Sequence, residues 1–189
     1  MSTTDTMTQV IAETGRIIDG ISPDQLDQPT LCTEWSVRDV INHITGGSTM
    51  FAVCVEEGSV PDDLLGQLMG GDNLGDDYKG AFHAAADRAI AAFGQPGALE
   101  KIVRLPFGEM PAGIALQIAI FDVTTHACDL AKATGQEVKD QEILDAAIEA
   151  GRQMITDDFR VPGVFGPEQP APEGAPTADK LLAFAGRQL

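Results

Sequence analysis

The sequence predicts an all-α fold. Apolar residues recur at three- and four-residue intervals in several separate stretches, Gly/Pro-rich breakers divide those stretches, and strand-like alternation is scarce. At 189 residues the chain lies in the range of one domain with a sizeable core. Its formal charge of -17 sets it against nucleic acid and anionic membrane surfaces, which repel an acidic protein. Small neutral or cationic molecules remain open as ligands.

Taken in order, Val10, Ile11, Ile17 and Ile18 place a first helix over 4–20, ended by the breakers of "ISPDQLDQPT". Ser36 is the N-cap of a second helix, whose stripe Val37, Val40, Ile41 and Ile44 continues toward Val55 despite Gly46 and Gly47. The stretch "GSVPDDLLGQLMGGDNLGDD" reads as a loop, and "YKGAFHAAADRAIAAF" as a helix terminated by "GQPG". "ALEKIVRLPFGEM" has room for a short extended segment, with nothing in the sequence to pair with it.

An almost uniformly apolar run over 111–133 predicts a helix buried on most sides, with Gly135 at its C-cap. Ile143, Leu144, Ala147, Ile148 and Met154 mark an amphipathic helix over 139–157. Residues 157–189 are expected to form a Pro/Gly-rich extension with one short terminal helix. The expectation is a single domain over 1–189, in which 1–156 hold the bundle and the helix that follows it. There is no run of 18 uncharged apolar residues, and "MSTTDTMTQV" lacks the features of a secretory leader, so a cytoplasmic protein is expected. Cys32, Cys54 and Cys128, odd in number and without a CxxC pair, read as reduced thiols.

The chemistry concentrates in "FDVTTHACDLA", where Asp122 and His126 stand four apart in an apolar stretch and so share one helix face. Such a pair is a helix ion pair, an N–H···O contact, or two ligands of one cation. Burial argues for a strong partner, because an unpaired buried carboxylate is costly. A metal needs a third ligand, and His43 on the second helix is the better of the two remaining histidines. "DVINH" repeats the D-V-x-x-H pattern, which leaves Asp39 to orient a histidine or to face solvent. His43, Asp122 and His126 would leave an open coordination position, as catalytic sites do. Imidazole with carboxylate suits zinc, nickel or iron(II). His83 reads as a surface residue, Trp35 as a core or helix-start residue, and Cys128 as a small core residue. Phosphate-cradling loops and a nucleophile elbow are absent.

Two segments resemble a known family. "CTEWSVRDVINHI" is similar to the C-x-x-W-[ST]-V-R-D-[LV]-x-x-H-[LI] stretch of the DinB-like and mycothiol-dependent maleylpyruvate isomerase superfamily. "DVTTHACDLAKATGQ" resembles its second signature, an acid-x3-histidine pair followed by D-L-A-x-A-T-G. "LPFGEMP" and the closing "FGPE…DKLLAFAGRQL" are similar to an actinobacterial metal-binding subfamily, so the resemblance spans residues 4–189.

The resemblance implies a DinB-like four-helix bundle with additional C-terminal helices and one metal, zinc first, on His43, Asp122 and His126. It also implies thiol-dependent isomerases and S-transferases as relatives, with mycothiol as thiol cosubstrate and Arg38 as a weak candidate for a charge near it. A zinc-bound thiol deprotonates readily, and the thiolate is the nucleophile. The acidic ligand in the isomerases is usually Glu, one methylene longer than Asp122. The isomerase also carries an additional C-terminal domain, for which the 33 residues after Thr156 leave no room, so isomerase activity itself is not expected.

Three functions follow as expectations. The first is a metal-dependent thiol S-transferase acting on an electrophilic small molecule. The second is a metal-dependent hydrolase with Asp39 or another carboxylate as base. The third is a non-enzymatic bundle that binds a metal or small ligand, or forms a homodimer through an apolar helix face.

Overall fold

The computed structural model describes residues 2–156, 160 and 166–189. The last residue of the helix expected over 139–157, and most of the extension expected between 157 and 165, lie outside the described residues.

Four helices form the bundle: α1 (Thr3–Asp19), α2 (Val37–Glu57), α4 (Tyr78–Phe93) and α5 (Ala112–Thr134). Each start has a physical cause. Ser2 and Asp5 close a capping box on α1, Ser36 and Asp39 do the same on α2, and the Asp77 side chain accepts from the Gly80 N–H on α4. Gly58 and Gly135 end α2 and α5 in the left-handed conformation, which only glycine adopts without steric cost. Around the ring, α1 packs on α4 and α5, and α2 packs on the same two, so α2 and α5 are direct neighbours. Ile17, Ile18, Ile41, Ile44, Phe82 and Leu116 fill the interior with no exposure. Each such side chain contributes about 1.5–3 kcal/mol through removal from water.

Three short elements lie beyond the expected helices. The loop after α2 contains α3 (Asp62–Gly70), with Asp62 and Asp63 in its first turn, where the helix dipole favours negative charge. The glycines around it mask this helix in the sequence, but Leu68 is buried and Leu64 and Leu65 pack against the core. The "ALEKIVRLPFGEM" segment does find a partner, itself: β1 (Ile102–Leu105) pairs antiparallel with β2 (Gly108–Pro111). Gly108, at φ 134, closes the two-residue turn, and Val103 and Leu105 face the core. Two helices, α6 (Gln141–Met154) and α7 (Thr177–Phe184), pack against α5 and against each other around Phe121, Leu144, Ala147, Leu181 and Phe184.

By length and mean hydropathy α5 is long and apolar enough to cross a membrane, although Gln117, Asp122 and His126 interrupt its apolar run. Here it is the bundle's central wall, with 78% of its apolar window buried.

The two glycines inside α2 have opposite roles. A Cβ on Gly46 would collide with the Leu68 carbonyl and come within 2.6 Å of Asn73 Nδ2, because the end of α3 lies directly on it. Gly47 has open space. Gly46→Ala is therefore expected to destabilise by about 1–3 kcal/mol as the α3 backbone is displaced. Gly47→Ala should stabilise by roughly 0.5–1 kcal/mol through helix propensity. Urea midpoints of the two variants check both signs.

Candidate metal centre

The second turn of α2 and the middle of α5 face each other. His43 Nε2 lies 3.4 Å from Asp122 Oδ1, and His126 Nε2 lies 3.6 Å from the same oxygen. The three residues expected from sequence thus converge, with their ligating atoms all within 4.8 Å of one another. Both distances exceed the usual 2.7–3.2 Å of an N–H···O hydrogen bond. The first lies at the edge, about 3.3–3.4 Å, of a tetrahedron whose corners are about 2.0–2.1 Å from its centre, and the second is slightly longer. Two imidazoles and a carboxylate at this spacing are a donor set of the kind that borderline divalent cations take.

Exposure grades across the site. His126 is 8% exposed, His43 25% and Asp122 29%, so the carboxylate stands at the open edge and not in the interior as expected. The carboxylate that α5 buries completely is Asp129, two turns beyond Asp122 and one beyond His126. Its Oδ2 accepts from His126 Nδ1 at 3.0 Å and from Arg187 Nη2 at 2.7 Å, while Arg187 Nε reaches Oδ1 at 3.2 Å. Burial alone would raise the Asp129 pKa, but His126 and Arg187 hold it below the usual carboxylate range. Burial likewise works against ionisation of Asp122, and His43, His126 and Arg187 overcome it, holding the carboxyl at about 2. On His43, burial disfavours the charged form, yet Asp122 wins and the imidazole pKa is raised.

Trp35, expected as a core or helix-start residue, is a wall of the site. Its ring stacks on His126 with centroids 5.7 Å apart and tilts against His43 at 4.8 Å. Asp39 does not orient a histidine: its carboxylate accepts from Ser36 N at 2.9 Å and Ser36 Oγ at 2.6 Å, as part of the α2 cap. The second D-V-x-x-H is thus a helix start. Arg38 is directed at Asp72 and the Gly75 carbonyl. Next to Asn42, whose side chain bonds Gly71 and Asn73, it ties the end of α3 and the loop after it to α2. His83 pairs with Asp19 on the surface at 3.0 Å, and Cys128 packs in the cluster beneath α6 and α7.

A second group, Cys32, His126 and Asp129, also has metal-ligand spacing. It shares His126 with the first, and the Arg187 guanidinium already supplies the positive charge at Asp129. Burial raises the Cys32 thiol pKa, which disfavours the thiolate a metal requires. The first triad is the better cation site.

Residues 7–131 match the family model for the mycothiol maleylpyruvate isomerase N-terminal domain. An uncharacterized protein of Mycobacterium tuberculosis, found in two strains, is 36% identical over 179 residues, 92% of this chain and 91% of its own length. Among solved structures, the mycothiol-dependent maleylpyruvate isomerase superposes with a TM-score of 0.68 at 15% identity, covering 83% of this chain and 69% of that one. A histidine-to-alanine mutant of it gives 0.69 at 14%, covering 86% and 71%. At those identities the likeness speaks for the shared fold.

Proposed function

The chain belongs to the family of the mycothiol maleylpyruvate isomerase N-terminal domain, and from that premise we propose that it is a mycothiol-dependent enzyme of the S-transferase type. In this reading the protein binds one divalent cation, zinc first, on His43, Asp122 and His126, and joins the thiol to an electrophilic small molecule. The observation that carries it is the common Asp122 oxygen, 3.4 and 3.6 Å from two imidazole nitrogens that belong to different helices.

His43, Asp122 and His126 would hold the cation, and the chemistry it would supply is a lowered pKa for a thiol at its open position. The protein's own groups do the rest. Of the three side chains only Asp122 carries a negative charge, so a divalent cation held by them would keep positive charge toward an anionic sulfur. Trp35 covers the histidine rings and narrows access to water, while the half-exposed Asp122 edge leaves room for the sulfur and its partner. The thiol proton leaves to buffer, the sulfur pair forms the C–S bond, and the electrophile either expels its leaving group or takes up a proton. The hydrolytic alternative loses its named base, since Asp39 is committed to the helix cap.

The test uses zinc-loaded, untagged protein with mycothiol and a set of electrophiles comprising an aryl halide, an epoxide and a maleimide. The expected result is C–S product formed faster than in the protein-free reaction, requiring both mycothiol and zinc, and lost in His43→Ala. Equal rates with and without the protein across the set would overturn the reading, as would a hydrolysed product formed without thiol.

A further inference from the structure

The last residues of the chain reach the candidate metal centre from a long way off in sequence. Arg187 lies 58 residues beyond Asp129, yet holds both of its oxygens. The end of α7 explains how. Arg187 N–H donates to the Leu182 carbonyl and Gly186 N–H to the Ala183 carbonyl, a Schellman pairing that needs the left-handed Gly186, at φ 92. Gly186 packs so closely on Gly166 that an added Cβ would lie 3.0 Å from its Cα. Arg187 Nη1 then donates to the Ala185 carbonyl at 3.1 Å, which fixes the guanidinium against the turn.

The consequence passes through Asp129 to His126. An ionised carboxylate only accepts hydrogen bonds, so with Asp129 facing Nδ1 the imidazole proton resides there. Nε2 is left with its lone pair directed at the Asp122 side, the tautomer a metal ligand needs. Without Arg187, the fully buried Asp129 would carry its charge against a single neutral partner, and its hold on the ring would weaken.

We propose that Arg187 is a positioning residue for the cation site, and that docking of the α7 end and cation binding at His43, Asp122 and His126 are linked. This rests on the reading of that triad as a cation site. Linkage is reciprocal: if the docked terminus strengthens cation binding, the cation strengthens docking by the same factor.

The test measures zinc affinity of the whole protein by competition with a chromogenic chelator, and backbone hydrogen exchange over 177–187 with and without zinc. Arg187→Gln is expected to weaken zinc binding about 10–100-fold, the range for lost outer partners of ligating histidines. Arg187→Lys, which restores the charge without the two-pronged geometry, should fall between. Gly186→Ala, which alters no group that touches the triad, should also weaken binding by misdirecting Arg187. In the wild type, zinc should slow exchange over 177–187. Wild-type protein that binds no zinc would sink the cation site itself. Wild-type binding with Arg187→Gln and Gly186→Ala both within twofold of it, or exchange over 177–187 indifferent to zinc, would overturn the linkage and leave the site standing.

Discussion

His126→Ala is expected to lower zinc affinity on the order of 10²- to 10³-fold and to leave the purified protein nearly metal-free. Four-ligand structural zinc sites bind with about 10–16 kcal/mol, so one protein ligand is worth roughly 2.5–4 kcal/mol. Elemental analysis of untagged protein and chelator competition read the change. His43→Ala should show a comparable loss of metal, because both nitrogens stand at similar distances from the Asp122 oxygen. The two variants should differ without metal. Removing His126 also takes a hydrogen-bond donor from the buried Asp129, whereas removing His43 leaves Asp129 with both partners. The apoprotein of His126→Ala should therefore unfold at lower urea than that of His43→Ala. Equal zinc content in the wild type and both variants would remove these residues from contention as ligands.

The legible parts of this protein are those with local causes. Helix periodicity and caps are written within a few residues of one another, so Ser36, Gly135 and the Tyr78–Phe93 span stood out. The i, i+4 spacing of Asp122 and His126 was equally plain. The D-V-x-x-H repeat places Asp39 four residues before His43, and by itself that spacing does not separate a capping Asp from an orienting one. Ser36 at i-3 from Asp39 is the signature of a capping box, and it decides for the cap.

What escaped the sequence depends on distance along the chain or on masking composition. Asp129 is an i, i+3 neighbour of His126 and sat in plain view, but its burial follows from Arg187, which only the folding of α7 onto α5 brings near. Trp35 was ambiguous because a ring before a helix start serves equally as a staple or as a site wall. The β hairpin and α3 were hidden by glycine and proline, which mark turns whether or not regular structure lies between them.

Asp129→Ala is expected to cost the apoprotein about 3–5 kcal/mol, the range for breaking a buried ion pair by removing one member. The loss is not that of an attractive contact alone. Asp129 has no exposure and the Arg187 side chain only 12%, so the variant leaves a guanidinium desolvated and unpaired beside an imidazole N–H that has lost its acceptor. Removing both charges at once should cost less, because Asp129→Leu combined with Arg187→Met leaves no unpaired charge and orphans only the His126 N–H. Urea denaturation in the presence of a chelator gives both values, and a double variant as unstable as Asp129→Ala would show that packing, and not the orphaned charge, sets the penalty. If the double variant is stable, its zinc affinity becomes the informative number. In that case the charged pair has a role other than stability. Orientation of His126 supplies one, and it requires the stable double variant to bind zinc poorly.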